Sequence, residues 1–170
     1  MKLMKETVEL AQEKGMQGEK RIEKSDGIFR RLAQEALRAA RFSYSPYSGF
    51  QVGAALLTEE GQIYTGCNIE NAAYGPSVCA ERTAIFKAVS EGHRRFRALA
   101  VTGGPNGAGA IAPCGVCRQV MKEFCKPDFP ILFVESEEKY ELHTLGELLP
   151  YSFGAEQLTT EHESRHNADR

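Results

Sequence analysis

Apolar residues in the middle of this chain alternate between helical spacing and short strand-like runs, and this alternation restricts the fold more than any other feature. A first helix is predicted after an N-cap at Asp26, because apolar residues from Ile28 to Ala40 recur with the period of a helix. A hairpin with strands at Phe50–Leu57 and Ile63–Gly66 follows. The remaining predicted elements are, in order, helix Ala80–Ser90, strand Leu99–Thr102, helix Cys114–Phe124, strands Ile131–Val134 and Lys139–His143, and a short helix Leu145–Leu149. This order predicts an α/β domain, a layered sheet with helices on both faces.

The two ends of the chain differ from the middle in composition. Residues 1–26 are mostly polar or charged, and their apolar residues are too sparse for a core, so we expect an extension outside the domain. Residues 159–170 are equally polar and are predicted to be a tail. A chain of 170 residues suits one domain. We therefore expect a single domain over residues 27–158.

The charge balance and the hydropathy of the chain argue against some classes of function. The 21 Lys and Arg residues against 23 Asp and Glu residues give a net charge of −2, whereas a domain that binds a polyanion needs a surplus of cations. The sequence has no stretch near the roughly 20 apolar residues that cross a bilayer, and its first residues lack the apolar run of a secretory signal. We expect a cytoplasmic protein that acts on neither nucleic acid nor membrane. Its five cysteines are then reduced thiols.

Three of these cysteines stand at the starts of two predicted helices. Cys79 precedes one helix, and the Cys-x-x-Cys pair of Cys114 and Cys117 opens another. Helix N-termini favour thiolate over thiol, because unpaired N–H groups and the helix dipole stabilise negative charge. Thiolates are soft ligands that suit a tetrahedral zinc ion. The spacing predicts that two helix N-termini converge on one zinc ion, although a lone Cys-x-x-Cys is also compatible with a redox motif or a zinc ribbon.

The number of protein ligands distinguishes a structural zinc from a catalytic zinc, which keeps one position open for water. The candidates for a fourth ligand are Cys67, Cys125, His93, His143, His162 and His166. Cys67 and Cys125 are expected to be buried thiols, and His162 and His166 lie in the polar tail. Three ligands and an open position are therefore the preferred count. Glu81 follows Cys79 closely enough to act as a base on a metal-activated water, and Arg82 can offset the thiolate charge. Taken singly, Glu81 is also compatible with an ordinary first-turn acid and Arg82 with a surface cation.

Several separated motifs together resemble one enzyme family. The motifs CAERTA at 79–84 and PCGVCRQ at 113–119 are similar to the zinc motifs of the small, homotetrameric class of nucleoside cytidine deaminases. The likeness runs from about Ile28 to Leu158 and includes SPYSGFQVGAA at 45–55 and GCNIENAAY at 66–74. The resemblance implies a three-layer α/β/α fold around a central mixed five-stranded sheet. It also implies a homotetramer with one zinc ion per subunit.

The same resemblance implies roles for individual residues. The zinc ligands are Cys79, Cys114 and Cys117. Glu81 carries a proton from the attacking water to N3 of the pyrimidine ring and then helps ammonia to leave. The other implied roles are base stacking by Phe50, ribose binding by Asn68 and Glu70, a backbone contact from Ala80 to the pyrimidine carbonyl, contributions of Tyr74 and Phe153 to a neighbouring subunit's site, and support of Arg82 by Gln119.

Some of these roles can be weighed from the residues alone. Asn68 and Glu70 stand two apart near the end of a strand, so their side chains point to the same face. Phe50 is equally compatible with core packing, and Phe153 with a plug at the edge of the core. The basic cluster HRRFR at 93–97 is interpreted as a solvated helix end.

The expected activity is hydrolytic deamination of cytidine and 2′-deoxycytidine to uridine and 2′-deoxyuridine, a reaction of pyrimidine salvage. One alternative is a deaminase of a related aminopyrimidine nucleoside such as blasticidin S. Another is an inactive, zinc-stabilised binding protein, against which the intact Glu81 argues. Nucleotide and polynucleotide deaminases are disfavoured, because they typically have His in place of Cys79 and need phosphate-binding Lys or Arg near the pocket.

Overall fold

The computed structural model describes residues 27–158, and each helix and strand predicted for this range is present. The extension at 1–26, with its N-cap at Asp26, and the tail at 159–170 lie outside the described residues. Helix α1 is described over residues 27–40. The other elements are β1 (Gln51–Thr58), β2 (Ile63–Cys67), α2 (Ala80–Ser90), β3 (Phe96–Gly104), α3 (Gly115–Phe124), β4 (Pro130–Val134), β5 (Tyr140–Thr144), α4 (Leu145–Leu148) and a 3₁₀ turn (Ala155–Gln157). Within this range no helix is both long enough and apolar enough to span a membrane.

The five strands form one mixed sheet in the order β2-β1-β3-β4-β5. Strand β1 is antiparallel to both β2 and β3, and β4 is antiparallel to β5. Only β3 and β4 run parallel. Parallel neighbours need a crossover connection, and α3 lies in the segment that joins them. The prediction of a mixed five-stranded sheet is confirmed.

Side chains of successive strand residues point to opposite faces of this sheet, and each face has its own core. In β1, Ala54 and Leu56 contribute to one core and Ala55 and Leu57 to the other. The first core also contains Ile85 of α2, Leu99 of β3, Met121 of α3 and Ile131 of β4. The second contains Leu32, Ala33 and Ala36 of α1 with Ala98, Ala100, Leu132 and Val134. Helices therefore cover both faces, and the three-layer α/β/α architecture is confirmed.

Strand β3 extends beyond its predicted limits of Leu99 and Thr102 to Phe96 and Gly104. It lies between β1 and β4, and its pairing with β1 continues from Phe96 to Gly104. Backbone pairing thus extends the strand through Arg97 and through two terminal glycines, a residue type that is depleted in strands.

The interpretation of the cluster at 93–97 as a solvated helix end was wrong in part. The cluster forms the connection between α2 and β3 and the start of β3. Phe96 is 8% exposed, and its ring packs edge-on against that of Phe124 at 5.9 Å. His93 and Arg95 both pair with Glu60 at the tip of the β1–β2 hairpin. Phe96 therefore belongs to the core, His93 and Arg95 contact the hairpin turn, and Arg94 and Arg97 are exposed as predicted.

Two glycines let helices lie directly against the backbone of the sheet. A Cβ atom at Gly66 would overlap the carbonyl oxygen of Ala80 and the amide nitrogen of Ala84 in α2. A Cβ atom at Gly53 would overlap the carbonyl oxygen of Ala36 in α1. Gly66 therefore brings the first turn of α2, which carries predicted site residues, into direct contact with β2.

Candidate active site

The N-termini of α2 and α3 bring three cysteines together. Cys79 is the N-cap of α2 and Cys114 the N-cap of α3, and neither side chain makes a capping hydrogen bond. Cys117 lies in the first turn of α3 and is fully buried. The three sulfur atoms all lie within 4.8 Å of one another, and the Sγ atoms of Cys79 and Cys114 are 3.7 Å apart. The two N-cap thiols are thus directed at a common point instead of at the helix backbone.

This sulfur cluster fits a zinc ion. A tetrahedral zinc with Zn–S bonds of about 2.3 Å holds its sulfur ligands about 3.8 Å apart, close to the 3.7 Å between Cys79 and Cys114. Among residues 27–158, these cysteines form the only group of three or more His, Cys, Asp or Glu side chains close enough to share a metal. Thiolates are ligands that zinc prefers. Zinc is therefore the cofactor that this donor set suits.

The predicted candidates for a fourth ligand do not join the cluster in the described part of the chain. Cys125 is buried in the core, and burial raises the pKa of its thiol to about 12. The other candidates have partners elsewhere: Cys67 contacts the carbonyl oxygen of Phe42, His93 pairs with Glu60, and His143 pairs with Glu141. His162 and His166 lie outside the described residues. Three protein ligands are the number typical of a catalytic zinc.

Arg82 places a positive charge beside the sulfur cluster. Its Nη2 lies 3.7 Å from Sγ of Cys79 and donates to the carbonyl oxygen of Ser77 at 3.1 Å. A hydrogen bond from the Cys117 thiol, together with the Arg82 guanidinium, lowers the pKa of Cys79 to about 5. The same hydrogen bond and burial raise the pKa of Cys117. The thiolate form of Cys79 is therefore the favoured one, as metal ligation requires.

Glu81 is a buried carboxyl in the first turn of α2, only 3% exposed. Burial raises its pKa to about 7. A carboxyl that titrates near neutrality can both accept and donate a proton during a reaction. Glu81 therefore has the properties of a general acid and base next to the predicted metal.

A cavity of about 270 Å³ joins these groups to a second set of polar residues. Its lining includes Cys79, Cys114 and Glu81 together with Asn68 and Glu70. The rest of the wall consists of Ser77 and of apolar residues, which are Val52, Ile69, Val78, Ile111 and Ala112. Apolar walls with a few directed polar groups are typical of small-molecule sites. Clefts of about 340 and 750 Å³ lie elsewhere, but none of the residues to which the resemblance assigns a role lines either of them. Chemistry and not size therefore identifies this cavity as the site.

The side chain of Asn68 is held in one orientation by three hydrogen bonds. Its Oδ1 accepts from the Ser43 hydroxyl at 2.5 Å and from the amide of Val52 at 2.8 Å. Its Nδ2 donates to the carbonyl oxygen of Phe50 at 2.8 Å. The amide oxygen is thereby saturated, and the second hydrogen on Nδ2 can serve a ligand. Asn68 is therefore a donor to the cavity.

Glu70 is the complementary acceptor. Its Oε2 accepts from the amides of Tyr47 and Ser48 at 2.9 and 3.2 Å, and its Oε1 accepts from the Ser48 hydroxyl. The hydrogen bond from the Ser48 hydroxyl, with those from the backbone, lowers the pKa of Glu70. Glu70 therefore presents a fixed negative charge with lone pairs left for hydroxyl donors.

Phe50 adjoins the wall of the cavity without lining it directly. Its ring, Val52 and Ile111 meet around Gly103: the nearest atom of each lies 3.1, 3.1 and 2.6 Å from where a Cβ of that glycine would be. Val52 and Ile111 line the cavity. The Phe50 side chain is 40% exposed, which argues against a purely structural place in the core. Ala80 is fully buried as the first residue of α2.

The two aromatic rings that the resemblance assigns to a neighbouring subunit are exposed. Tyr74 is 75% exposed, and its ring contacts that of Tyr47 edge-on at 6.4 Å. Phe153 is 58% exposed, so it does not plug the edge of the core. Neither ring lines the cavity of its own chain.

Gln119 has a different partner from the one that the resemblance implied. Its Nε2 donates to the carbonyl oxygen of Phe153 at 2.9 Å, and no hydrogen bond joins it to Arg82 within the described range. One turn further along α3, Lys122 pairs with Glu156 at 2.9 Å. Helix α3 thus holds the segment that carries Phe153. The partner of Gln119 depends on where the segment around Phe153 lies against α3. The sequence near Gln119 does not indicate that position.

Two residues that shape the site were not assigned a role from the sequence. The Ser48 hydroxyl orients Glu70. Arg118 donates to the carbonyl oxygens of Pro113 and Leu148, which fixes the loop before α3. Both residues lie inside the motifs at 45–55 and 113–119, and this position is the signal that could have identified them.

Comparisons with known proteins agree with this geometry. The family model described as the cytidine and deoxycytidylate deaminase zinc-binding region matches residues 28–132. A cytidine deaminase of Sporosarcina psychrophila is 50% identical over 129 residues, which cover 76% of this chain and 93% of that protein. A cytidine deaminase of Halalkalibacterium halodurans is 47% identical over 127 residues, 75% of this chain and 95% of that protein. The crystal structure of a cytidine deaminase from Burkholderia pseudomallei is similar with a TM-score of 0.67 and 46% identity, covering 72% of this chain and 97% of that chain.

Proposed function

The chain belongs to the family of zinc-dependent cytidine deaminases, and we propose that it converts cytidine and 2′-deoxycytidine to uridine and 2′-deoxyuridine with release of ammonia. The observation that carries this proposal is the composition of one cavity. It combines zinc-type thiols, a buried carboxyl group and two polar groups suited to a sugar. We assign the activity to a domain of residues 27–158, acting in pyrimidine salvage in the cytoplasm.

Cys79, Cys114 and Cys117 would hold the zinc, because their sulfur atoms surround one point at suitable mutual distances. When bound, zinc lowers the pKa of a water molecule at the open position so that hydroxide is available near neutral pH. Three thiolates carry more negative charge than the ion carries positive charge. Arg82, beside Cys79, offsets this excess.

Glu81 carries protons between the attacking water and the substrate. Its carboxylate accepts a proton from the water and delivers it to N3 of the ring, which makes C4 more electrophilic. After the oxygen has added at C4, Glu81 moves the remaining hydroxyl proton to the amino group, which leaves as ammonia. A pKa near 7, raised by burial, suits a group that must accept and release protons in turn.

The remaining polar groups orient the nucleoside. The second hydrogen on Nδ2 of Asn68 and the lone pairs of Glu70 match sugar hydroxyls, which both accept and donate hydrogen bonds. The amide of Ala80, at the start of α2, has no partner within the helix and suits the pyrimidine carbonyl. The ring of Phe50 would stack on the base.

We propose a homotetramer in which Tyr74 and Phe153 complete the site of a neighbouring subunit. Both rings are exposed and lie outside the cavity of their own chain. Other large apolar side chains on the described surface are also exposed, including Phe42 at 77% and Tyr151 at 105%. A tetramer could bury exposed rings of this kind between its subunits, and closed symmetry is usual for such oligomers.

The loss of cytidine absorbance with purified protein tests the activity directly. We expect turnover by the untreated protein, loss of turnover after a chelator has removed zinc, and recovery when zinc is added back. Elemental analysis should find one zinc per chain. A protein without zinc, or one that is fully active without it, would contradict the proposal.

Glu81→Gln is the matched variant for the chemical step. The amide has nearly the same size as the carboxyl but cannot shuttle protons, so kcat should fall at least about a hundredfold. Zinc content and the thermal unfolding midpoint should remain close to those of the parent chain. Near-normal turnover by this variant would show that another group moves the protons.

A further inference from the structure

One hydroxyl group connects the sugar side of the cavity to the residue assigned to the base. Ser48 Oγ donates to Oε1 of Glu70. The same oxygen accepts from the amide of Phe50 at 3.0 Å. The hydroxyl of Ser48 therefore bonds to the carboxylate of Glu70 and to the backbone amide of Phe50 at the same time.

The chemistry of the three groups fixes the direction of these hydrogen bonds. The amide of Phe50 can only donate, and an ionised Glu70 can only accept. The one hydrogen of the Ser48 hydroxyl must therefore go to Glu70, and an oxygen lone pair receives the amide. Such a chain polarises each of its hydrogen bonds, which strengthens both.

Loss of the Ser48 hydroxyl would leave Glu70 with fewer hydrogen bonds. Glu70 would keep the amides of Tyr47 and Ser48 on Oε2, at 2.9 and 3.2 Å, but Oε1 would lose its partner within the turn. The terminal torsion of a Glu side chain is soft, so the carboxylate would rotate more freely. The amide of Phe50, directly before β1, would lose its link to the turn as well.

We propose that Ser48 is a positioning residue that sets nucleoside affinity by coupling the carboxylate of Glu70 to the backbone of Phe50. The inference rests on the proposed function, because it takes Glu70 and Phe50 as contacts of the sugar and the base. Ser48 acts through these residues and touches neither the zinc ligands nor Glu81 among its observed hydrogen bonds.

Calorimetric titration with uridine, the reaction product, measures affinity without turnover. We expect Ser48→Ala to raise the Kd for uridine and the KM for cytidine about tenfold, because the freed Glu70 carboxylate must then be ordered when the ligand binds. We expect kcat to change less than about twofold. Ser48→Thr keeps the hydroxyl and should bind uridine more tightly than Ser48→Ala. Ser90→Ala removes a serine hydroxyl that bonds only to the carbonyl oxygen of Lys87 in α2, and it should match the parent chain.

A double-mutant cycle identifies the route of the effect. If Ser48 acts mainly through Glu70, Ser48→Ala should weaken binding in a Glu70→Ala background by no more than about threefold. An equal loss in both backgrounds, a Kd of Ser48→Ala within about twofold of the parent, or no advantage of Ser48→Thr over Ser48→Ala would overturn the proposal. Ser48 lies in an exposed turn, so Ser48→Ala is expected to fold, and the thermal unfolding midpoint verifies this.

The two readouts separate this inference from the proposed function. A parent chain that binds uridine but does not deaminate cytidine contradicts the activity, while the Kd values still decide the role of Ser48. A parent chain that neither binds uridine nor deaminates cytidine overturns both.

Discussion

The carboxylate of Glu70 brings a fixed negative charge to the part of the cavity that is proposed to bind the sugar. Among the described residues that line the cavity, there is no Lys or Arg. The two negative charges of a 5′-phosphate would therefore approach Glu70 without a compensating cation. We predict that kcat/KM for cytidine 5′-monophosphate is at least about tenfold lower than for cytidine. Loss of absorbance with each substrate measures both values.

Glu70→Gln is the control for this charge effect, because the amide keeps the shape of the side chain and removes its charge. Affinity for the nucleoside should weaken, but the ratio between nucleoside and monophosphate should move toward one. Equal kcat/KM values for both substrates in the parent chain would show that Glu70 does not discriminate against phosphate.

Single residues differ in how far the sequence alone could place them. The three cysteines could be grouped because they lie at the starts of two helices, and the structure brings these two starts together. Gln119 could not be placed, because its hydrogen bond to Phe153 depends on the path of a distant segment. The role of Ser48 depends in the same way on where the turn at 45–49 meets Glu70.

The position of the site residues in α2 depends on the close contact between α2 and β2. Gly66→Ala would place a Cβ atom against the backbone of Ala80 and Ala84, which cannot move aside as a flexible side chain can. We predict that the free energy of unfolding falls by about 1–3 kcal/mol. Zinc content should also fall, because the first turn of α2 carries Glu81 and follows Cys79. Denaturant unfolding and elemental analysis measure the two effects.

Gly27→Ala is the matched control for this substitution. A Cβ atom at Gly27, the first described residue of α1, would meet no heavy atom of residues 27–158 within 4 Å. Alanine is favoured over glycine in a helix by up to about 1 kcal/mol, so stability should be unchanged or slightly higher. A Gly66→Ala chain as stable and as rich in zinc as this control would show that α2 can shift without cost.

For the helices and strands, the sequence predicts much of the structure, because the spacing of apolar residues indicates which face of each element is buried. Helix Ala80–Ser90 has the limits that its pattern predicted. The limits of β3 could not be predicted, since pairing with β1 extends it through Arg97 and two glycines. The same pairing places Phe96 in the core. The sequence alone predicted a solvated surface there, because the neighbours of Phe96 are basic.

The activity of mixed tetramers, assembled from two different variants, tests the proposed tetramer. Glu81→Gln alone and Phe153→Ala alone should each be poor enzymes. In mixed tetramers, a site can take Glu81 from the Phe153→Ala chain and Phe153 from the neighbouring Glu81→Gln chain. With equal, random mixing, roughly a quarter of the sites would contain both intact residues, so activity should recover toward that fraction. Co-expression with two different affinity tags, followed by sequential purification, supplies the mixed tetramers.

A site built within one subunit predicts a different result. Every site would then take both residues from one chain and would lack either Glu81 or Phe153. Mixing the two chains could not restore activity. The absence of recovery in tetramers shown to contain both chains would contradict the shared site. Val116→Ala is a suitable control for exposed apolar surface, because Val116 is 58% exposed and does not line the cavity.

Helix α3 has a consequence for how zinc loss would spread through such an assembly. Its first turn contains the proposed zinc ligand Cys117. Further along the helix, Gln119 bonds to the carbonyl oxygen of Phe153, and Lys122 pairs with Glu156 in the same segment. In the proposed tetramer, the ion bound by one subunit would stabilise α3 and, through it, the Phe153 segment in the site of the neighbouring subunit. A subunit that loses its ion then impairs two sites, its own and its neighbour's. Activity would decline faster than the fraction of loaded sites, and partial metal depletion would resemble cooperative inhibition without any inhibitor.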